Sequence, residues 1–357
     1  MHRKFPYGVI TGNLVKELFE YAKENSFSIP AVNVIGSNTI NTALETASIV
    51  NSPIIIQLSR GGSIFNAGIG SIKQKNKQES AIKGAIACAM HVHTLAEFYK
   101  STVILHTDHC SKSDLTWIDG LIKENKNFYK KNGKTLFSSH MLDLSQEPLK
   151  ENIKICNKYF EKMNKMNMTI EIELGVTGGE EDGIDNSNID NKKLYTQPEE
   201  IYYAYKKLIK ISNNFIIAAA FGNVHGVYKP GNVILRPIIL KNTQEYIQKK
   251  FSTRNNPISF VFHGGSGSSE EEIKKSIEYG VVKMNVDTDL QYAFTSGVRN
   301  YMNENKEYIK KQIGNPYGKY VPNKKYYDPR VWLREGENHF KNTLKKYFKL
   351  MNNINTL

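Results

Sequence analysis

Residues 102–110 read TVILHTDHC, an apolar, β-branched run that ends in an acid, a histidine and a cysteine. Nearly continuous hydrophobicity of this kind is typical of a strand that is buried on both faces of a parallel sheet. Seven further runs share this character, and longer stretches separate them: PAVNV (30–34), PIIIQLS (53–59), LFSSH (136–140), MTIEIELG (168–175), FIIAAAFG (215–222), ISFVFHG (258–264) and VVKMNV (281–286). The alternation predicts eight parallel strands.

Several of the stretches between these runs have helical periodicity: TINTALETASIV (39–50), EEIYYAYKKLI (199–209) and SEEEIKKSIEYG (269–280). The last opens on Ser269 as a predicted N-cap, continues with acidic residues and closes on Gly280, as helices commonly do. Eight strand–helix units in 357 residues predict a (β/α)8 TIM barrel, with a doubly wound open sheet as the alternative. We expect residues 1–357 to form one barrel domain with a C-terminal helical extension over about 300–357.

Composition and cysteine usage narrow the class of protein. Hydrophobic residues make up 40% and charged residues 23% of the chain, which is typical of a globular protein, and no apolar run reaches the length of a membrane span. The first residues contain no apolar segment of the kind found in secretory signals. The three cysteines, Cys88, Cys110 and Cys156, lack paired spacing, which argues against a disulfide framework. These features together predict a cytoplasmic protein that does not bind membranes.

The chain is basic, with 48 Lys and Arg against 35 Asp and Glu, a net charge of +13. The lysines are scattered, and the sequence contains no recognised nucleic-acid motif, so we expect no nucleic-acid partner. A positive field would also suit phosphorylated small-molecule substrates. A non-catalytic RNA-binding protein remains the alternative that charge alone supports.

Polar side chains follow nearly every predicted strand. In a (β/α)8 barrel, catalytic residues lie at the carboxyl ends of the strands. The residues found there are Asn33, Ser59, Asp108, His109, Asp143, Glu173, His225, His263, Asn285 and Asp287. One such residue would be an ordinary strand cap, but so many predict a shared active site.

Three of these residues are histidines: His109, His225 and His263. Three neutral imidazoles that leave a fourth position open are typical of catalytic zinc, which polarises carbonyl oxygens. Zinc fits this ligand type best, while cobalt and iron remain alternatives. Asp143 and Glu173 suit a second metal position or the orientation of the histidines. Each alone could also be a strand-end cap or a salt-bridge partner, and for Asp143 this alternative is nearly as good.

Two Gly-rich segments and one arginine complete the candidate site. The stretch GVTGGEEDGIDNS (175–187) combines glycines with adjacent acids, so it could deliver a general base, although it could also be a solvated acidic loop. The stretch GGSGS (264–268) follows the seventh strand, where barrels frequently bind phosphate. Arg330 suits a second phosphate through its planar guanidinium, although its spacing alone predicts a surface salt bridge.

These motifs resemble the class II, metal-dependent fructose-bisphosphate aldolases of the longer bacterial and fungal branch. The resemblance extends from VITG (9–12) to the last predicted helix and rests on six segments: VILHTDHC, IEIELGVTGGEEDG, FGNVHGVYKPGNV, FVFHGGSGS, VVKMNVDTD and NKKYYDPRVWLR. It implies a zinc-dependent barrel that acts as a homodimer in glycolysis and gluconeogenesis. The implied reaction is the reversible cleavage of fructose 1,6-bisphosphate to dihydroxyacetone phosphate and glyceraldehyde 3-phosphate.

The resemblance also implies roles for individual residues. His109, His225 and His263 resemble the ligands of a catalytic zinc that polarises the ketone and stabilises an enediolate. Glu181 resembles the base that removes the carbon-bound proton in condensation, and Asp108 the acid that protonates the aldehyde oxygen. The resemblance implies a second zinc position at Asp143 and Glu173. It implies a dihydroxyacetone phosphate site, with a K+ or Na+ ion beside it, at Gly226, Gly264, Gly265, Ser266, Asn285, Val286, Asp287 and Thr288. It also implies a second phosphate clamp at Ser59 and Arg330, assisted by Asn33 and Gln57, with Arg330 reaching across the dimer.

Two other aldolase types are alternatives. A tagatose-bisphosphate aldolase would share the metal chemistry and differ at one sugar stereocentre. A lysine Schiff-base aldolase would need a desolvated lysine, for which Lys283 is the in-strand candidate, and would leave the histidines unexplained.

Overall fold

The computed structural model describes residues 4–68, 77–181, 184–185, 194–225, 234–265 and 268–357, with the backbone alone at 178–181, 184–185 and 225. Eight strands form its central sheet: β1 (Ile29–Asn33), β2 (Ile54–Leu58), β3 (Thr102–Thr107), β4 (Ser139–Leu142), β5 (Thr169–Leu174), β6 (Phe215–Ala219), β7 (Phe260–Phe262) and β8 (Val281–Val286). Each predicted run contains or overlaps one of these strands.

Each strand pairs in parallel with its neighbours in chain order, and β8 pairs with β1, where Lys283 lies opposite Ile29. The sheet is therefore a closed barrel. The (β/α)8 prediction is confirmed, and the open-sheet alternative is wrong. A short strand, Gly8–Val9, pairs with the start of β3 outside the ring.

The fourth strand lies later than predicted, at 139–142 instead of 136–140. Side chains satisfy the backbone of Phe137, because its N–H donates to Asn125 Oδ1 at 2.8 Å and its carbonyl accepts from Thr135 Oγ1 at 2.6 Å. Phe137 therefore lies before the start of β4, although its apolar character predicts that it belongs to the strand.

The helices cover the outside of the barrel and the C-terminal region. In chain order they are α1 (Asn13–Glu24), α2 (Ser37–Ile49), α3 (Arg60–Asn66), α4 (Lys77–Leu95), α5 (Leu115–Asn132), α6 (Leu149–Asn164), α7 (Pro198–Leu208), α8 (Ile238–Phe251), α9 (Glu270–Glu278), α10 (Thr288–Glu304), α11 (Lys306–Ile309), α12 (Lys324–Tyr327) and α13 (Pro329–Leu350). The three predicted helices correspond to α2, α7 and α9. Ser269 caps α9 in a capping box with Glu272, and Gly280 lies beyond its end at φ +99°.

The C-terminal helix α13 packs against α10 and α2. Glycines allow the close approach to α10, because a Cβ atom at Gly297 would lie 2.4 Å from the Glu335 carbonyl oxygen. Phe340, Leu344 and Phe348 of α13 belong to the main hydrophobic core. In the described part of the chain, no helix is long and apolar enough to cross a membrane.

The barrel interior has two layers. The lower one, called here the apolar floor, consists of inward-facing strand residues that pack against the N-terminal segment and α1: Ile29, Ala31, Ile55, Ile104, Ile216, Ala218, Val261 and Val282, with Phe5, Ile10, Val15 and Leu18. The upper one, called here the polar layer, lies at the carboxyl ends of the strands and contains Asn33, Gln57, His106, Asp108, Glu171, Glu173, His263, Lys283 and Asn285. The barrel therefore presents charged groups at the end where its chemistry is expected.

Candidate active site

Three metal-binding side chains converge in the polar layer. His109 follows β3, Glu173 belongs to β5 and His263 follows β7, and one ligand atom of each lies within 4.8 Å of the other two. Glu173 Oε2 is 3.5 Å from His109 Nε2 and 3.3 Å from His263 Nδ1. The sequence analysis predicts that Glu173 belongs to a second metal position and that the two histidines belong to the first. In the structure, the Glu173 carboxylate lies between these two imidazoles.

The surroundings of Glu173 fit a divalent cation. Its Oε1 accepts a hydrogen bond from Thr177 at 3.0 Å, whereas the buried Oε2 has no hydrogen bond of regular geometry among the described residues. A buried carboxylate oxygen without a donor is costly unless a cation compensates it. Glu173 Oε2, His109 Nε2 and His263 Nδ1 together form a donor set of the type that zinc and similar ions accept.

The charge balance of the polar layer points the same way. It contains three buried carboxylates, those of Asp108, Glu171 and Glu173, against two buried basic groups. These are the ammonium of Lys283 and the imidazole of His263, whose pKa is lowered by burial but raised overall to about 9 by its hydrogen bonds to Glu171 and Glu173. Burial raises the pKa of each carboxyl, but neighbouring histidines and Lys283 outweigh it and hold the pKa of Asp108 and Glu171 well below the ordinary value. A bound divalent cation would balance the excess negative charge.

Asp108 is held in one orientation from both of its oxygens. Asn33 Nδ2 donates to Oδ2 at 3.0 Å, and Asn285 Nδ2 donates to Oδ1 at 3.3 Å. His109 Nδ1 lies 3.2 Å from the same Oδ1, and Gln57 fixes the Asn33 amide from the other side at 2.5 Å. The candidate acid is therefore tied directly to a candidate metal ligand.

Asp143 follows β4 and is half-buried. Its Oδ1 accepts from the backbone N–H and the hydroxyl of Ser145 at 3.1 and 2.6 Å. Burial and the nearby charge of Glu173 raise the pKa of Asp143. Two carboxylates that repel each other in this way would both be stabilised by a cation between them.

His225 and Glu181 lie on paired backbone segments. The strand Val224–His225 runs parallel to Gly178–Glu181, with His225 opposite Gly179. The structure therefore places the third predicted ligand next to the segment that carries the predicted base, although the side chains of both lie outside its description. Two other predicted residues, Gly226 and Ser266, lie outside the described residues.

The predicted phosphate site lies where β7 and β8 end. Gly264 has φ +61°, and a Cβ atom at Gly265 would lie 2.1 Å from Met284 Cε, so the backbone approaches its neighbours closely here. Asn285 and Val286 end β8, Asp287 is the N-cap residue of α10, and Thr288 begins that helix. The N-terminus of a 17-residue helix favours an anion.

The two residues of the second predicted phosphate clamp differ in burial and have different partners. Ser59 is buried at the end of β2, where its hydroxyl accepts from Gly62 N at 3.1 Å. Arg330 is 87% exposed and forms a bidentate pair with Asp328, Nε to Oδ1 at 3.0 Å and one terminal nitrogen to Oδ2 at 2.6 Å. In this chain Arg330 forms the surface salt bridge that its spacing alone predicts.

Sequence reasoning missed Glu171, which occupies the centre of the polar layer. Its Oε2 lies 2.9 Å from Lys283 Nζ, and Asn285 Oδ1 accepts from the same nitrogen at 2.8 Å. The detectable signal is the pair of glutamates in TIEIEL (169–174), because a charge inside a buried strand requires a partner. Lys283 is desolvated, as a Schiff-base mechanism needs, but its nitrogen is engaged by Glu171 and Asn285 and is not free to attack a carbonyl, so the geometry argues against the lysine alternative.

Comparison with known proteins identifies the family. The family model for fructose-bisphosphate aldolase class-II matches residues 13–356. The chain belongs to the class II fructose-bisphosphate aldolase family. It is 59% identical to the fructose-bisphosphate aldolase class 2 of Buchnera aphidicola subsp. Schizaphis graminum, over 98% of both chains. It is 57% identical to that of Escherichia coli K12, over 98% of this chain and 97% of the relative.

Solved structures agree with this assignment. A crystal structure of fructose-bisphosphate aldolase from Campylobacter jejuni superposes with a TM-score of 0.89 at 53% identity, over 99% of this chain and 98% of the other. A putative fructose-1,6-bisphosphate aldolase from Coccidioides immitis, 22% identical, has a TM-score of 0.65 and shares the fold. The prediction of a metal-dependent lyase acting on sugar phosphates is confirmed, and the comparisons favour a class II fructose-bisphosphate aldolase over the tagatose and RNA-binding alternatives.

Proposed function

We propose that this aldolase cleaves fructose 1,6-bisphosphate reversibly at a zinc centre held by His109, His225 and His263. The observation that carries the proposal is the convergence of His109 Nε2 and His263 Nδ1 on the buried Oε2 of Glu173. A zinc ion bound there would polarise the substrate carbonyl and stabilise the enediolate of dihydroxyacetone phosphate. Glu173 and Asp143 would hold the ion at a second position.

Asp108 is proposed to move the proton of the substrate's C4 hydroxyl group. Its low pKa keeps the carboxylate ionised at neutral pH, so in cleavage it accepts the hydroxyl proton as the carbon–carbon bond breaks. In condensation the same carboxyl returns that proton to the aldehyde oxygen. Hydrogen bonds from Asn33 and Asn285 keep the carboxylate in one orientation during both steps.

Glu181 is proposed to exchange the carbon-bound proton of dihydroxyacetone phosphate. The pairing of its segment with that of His225 supports a position near the metal ligands. We expect Glu181→Ala to keep its zinc and lose proton exchange between dihydroxyacetone phosphate and solvent, with the adjacent Glu180→Ala as the matched control. Unchanged exchange in Glu181→Ala would remove Glu181 as the base.

Substrate phosphates are proposed to bind at the two ends of the site. One would lie at Gly226, Gly264, Gly265 and Ser266 and the start of α10, where we also place a K+ or Na+ ion. The other would lie near Ser59. Because the Arg330 side chain is 87% exposed on its own chain, we propose that it completes the Ser59 site of a second copy.

We also propose that the enzyme is a homodimer, because the chain has an apolar surface near the site. A cavity of about 540 Å³ borders Asn33 and Asp287 and is lined largely by apolar residues such as Leu290, Phe294 and Leu333. Phe65 at its rim is 51% exposed. Tyr320, on the antiparallel hairpin formed by Ile313–Asn315 and Gly318–Pro322 before α12, is 79% exposed. Surfaces of this kind mark protein interfaces. Sedimentation at micromolar concentration should give twice the mass of one chain, and a strict monomer would contradict this proposal.

Two further proposals concern the chain as a whole. We propose that residues 1–357 form one barrel domain with its C-terminal extension, which the packing of α13 into the main core supports. We also propose that the enzyme works in the cytoplasm, because Cys88, Cys110 and Cys156 are all free and buried, as expected in a reducing compartment.

The metal proposal is tested by removing and restoring the ion. We expect a chelator to abolish cleavage of fructose 1,6-bisphosphate, and added zinc to restore it. Each metal is added back separately, so that cobalt and iron are compared with zinc. Cleavage that persists after complete chelation would overturn the proposal.

A further inference from the structure

Glu171 is a fully buried carboxylate that contacts three basic side chains. Its Oε1 lies 2.8 Å from His263 Nε2 and 3.1 Å from Lys283 Nζ. Its Oε2 lies 2.9 Å from Lys283 Nζ and 3.2 Å from His106 Nε2. Glu171 therefore links one candidate metal ligand to the lysine below the site.

The contact with Glu171 determines which nitrogen His263 presents to a metal. A carboxylate accepts hydrogen bonds and does not donate them, so Nε2 carries a proton and is occupied by Glu171. The other nitrogen, Nδ1, faces Glu173 Oε2 at 3.3 Å and is the one left for a metal ion, which it would bind without a proton. Carboxylates commonly fix the tautomer and orientation of metal-binding histidines in this way.

Lys283 determines the orientation of a second group, the Asn285 amide. Its ammonium donates to Asn285 Oδ1 at 2.8 Å, and an ammonium can bond only the oxygen end of an amide. The nitrogen end, Nδ2, therefore faces Asp108 Oδ1, 3.3 Å away. Lys283 and Asp108 therefore select the same orientation of the amide, and without Lys283 only the 3.3 Å bond to Asp108, among these contacts, would hold it.

We propose that Glu171 and Lys283 form a positioning pair, in which Glu171 orients His263 for metal binding and Lys283 orients Asn285 against Asp108. The inference rests on the proposed roles of His263 and Asp108. A buried ion pair is weak as a source of stability, since desolvation offsets much of its attraction. The role of the pair is to align two groups, one that acts on the substrate and one that binds the metal.

The two members of the pair have separable effects. Glu171→Gln keeps the shape of the side chain and loses its charge, so we expect zinc affinity to fall about 10- to 100-fold, with kcat within a few-fold of wild type at saturating zinc. Lys283→Met removes a positive charge near the cation, so zinc affinity should not weaken. Its kcat should fall about 10-fold or more, because Asp108 loses its alignment, while KM changes little. Competition with a chromophoric chelator measures the affinity.

A double-mutant cycle tests whether Lys283 acts through Asn285. Lys283→Met should lower kcat in the wild-type background and change it less than about twofold in an Asn285→Ala background. Equal effects in the two backgrounds would contradict this part of the proposal.

The matched control is Lys23→Met, which removes a lysine on α1 that is likewise buried and paired, with Glu20 Oε1 at 3.0 Å, outside the polar layer. It should lower stability and leave zinc affinity and kcat unchanged.

If Lys283→Met does not fold, Glu171→Gln/Lys283→Met removes both charges and should show weaker zinc binding together with lower kcat. If wild-type activity depends on zinc but these variants lose only stability, the positioning pair is wrong and the proposed function stands. If wild-type activity ignores zinc, the proposed function fails instead.

Discussion

The apolar floor and the polar layer occupy the same barrel, a few residues apart on the same strands, and contribute opposite things. On β3, Ile104 belongs to the floor, while His106 and the following Asp108 belong to the polar layer. The floor removes branched side chains from water and stabilises the fold. The polar layer buries several charges, which costs stability. Stability and chemistry are therefore assigned to different levels of one barrel.

The largest expected effect lies in the polar layer. Replacing His109 with alanine should lower kcat/KM by more than the roughly 100-fold that outer partners of a metal typically contribute, because it removes a direct ligand. Zinc content should fall with activity, while the thermal unfolding midpoint of the metal-free protein changes little. His93→Ala is the control, because His93 lies on α4 and bonds the Leu136 carbonyl at 2.8 Å. Activity that survives in His109→Ala would contradict the metal assignment.

In the floor the expected effect is on stability. Ile104→Ala should lower the free energy of unfolding by about 2–5 kcal/mol, through lost burial and the cavity that remains. The kcat of the folded enzyme should stay within a few-fold of wild type. Urea unfolding measures the first quantity and a coupled assay the second. Ile49→Ala, at a 53% exposed position, should change stability by about 0.5 kcal/mol or less. An equally large loss of kcat in Ile104→Ala would break the division between the layers.

A smaller effect is expected at the edge of the polar layer. Thr177→Val keeps the size of the side chain and removes the hydroxyl that donates to Glu173 Oε1 at 3.0 Å. Zinc affinity should fall about 10-fold, the lower end of the range for a residue that hydrogen-bonds a metal ligand. Thr46→Val is the matched control, because Thr46 Oγ1 donates within its own helix α2, to the Thr42 carbonyl at 2.7 Å. Unchanged zinc affinity in Thr177→Val would show that Glu173 needs no such support.

The smallest effect is expected outside both layers, where Glu45 of α2 joins Arg334 and Lys341 of α13. Its hydrogen bond to Arg334, helped by Lys341 and opposed by burial, lowers the pKa of Glu45 to about 2. Since the folded pKa lies below the unfolded one, this stabilisation is present above about pH 4.5 and is lost as the pH falls towards 2. Glu45→Gln should cost about 1 kcal/mol or less at neutral pH. The difference in unfolding midpoint from wild type should shrink in acid, and a constant difference would contradict the assignment.

Most of the barrel could be predicted from the sequence, because strands buried on both faces leave a continuous apolar signature. The fourth strand begins later than predicted because Asn125 and Thr135 satisfy the backbone of Phe137, and the contact from Asn125, on α5, leaves no signal in the sequence of the strand itself. Glu171 was overlooked for a similar reason, since its partners come from three other strands or strand ends. The resemblance of the motifs to a known family supplied residue roles that spacing alone left open.

We propose that one divalent ion, bound to His109, His225 and His263, balances the excess negative charge of the polar layer. Anomalous scattering at the zinc absorption edge, from crystals grown with zinc, tests this most directly. We expect an anomalous difference peak about 2.0–2.1 Å from His109 Nε2 and His263 Nδ1, at the carboxyl end of the barrel. A fully zinc-reconstituted, active enzyme with no peak at these nitrogens would contradict it.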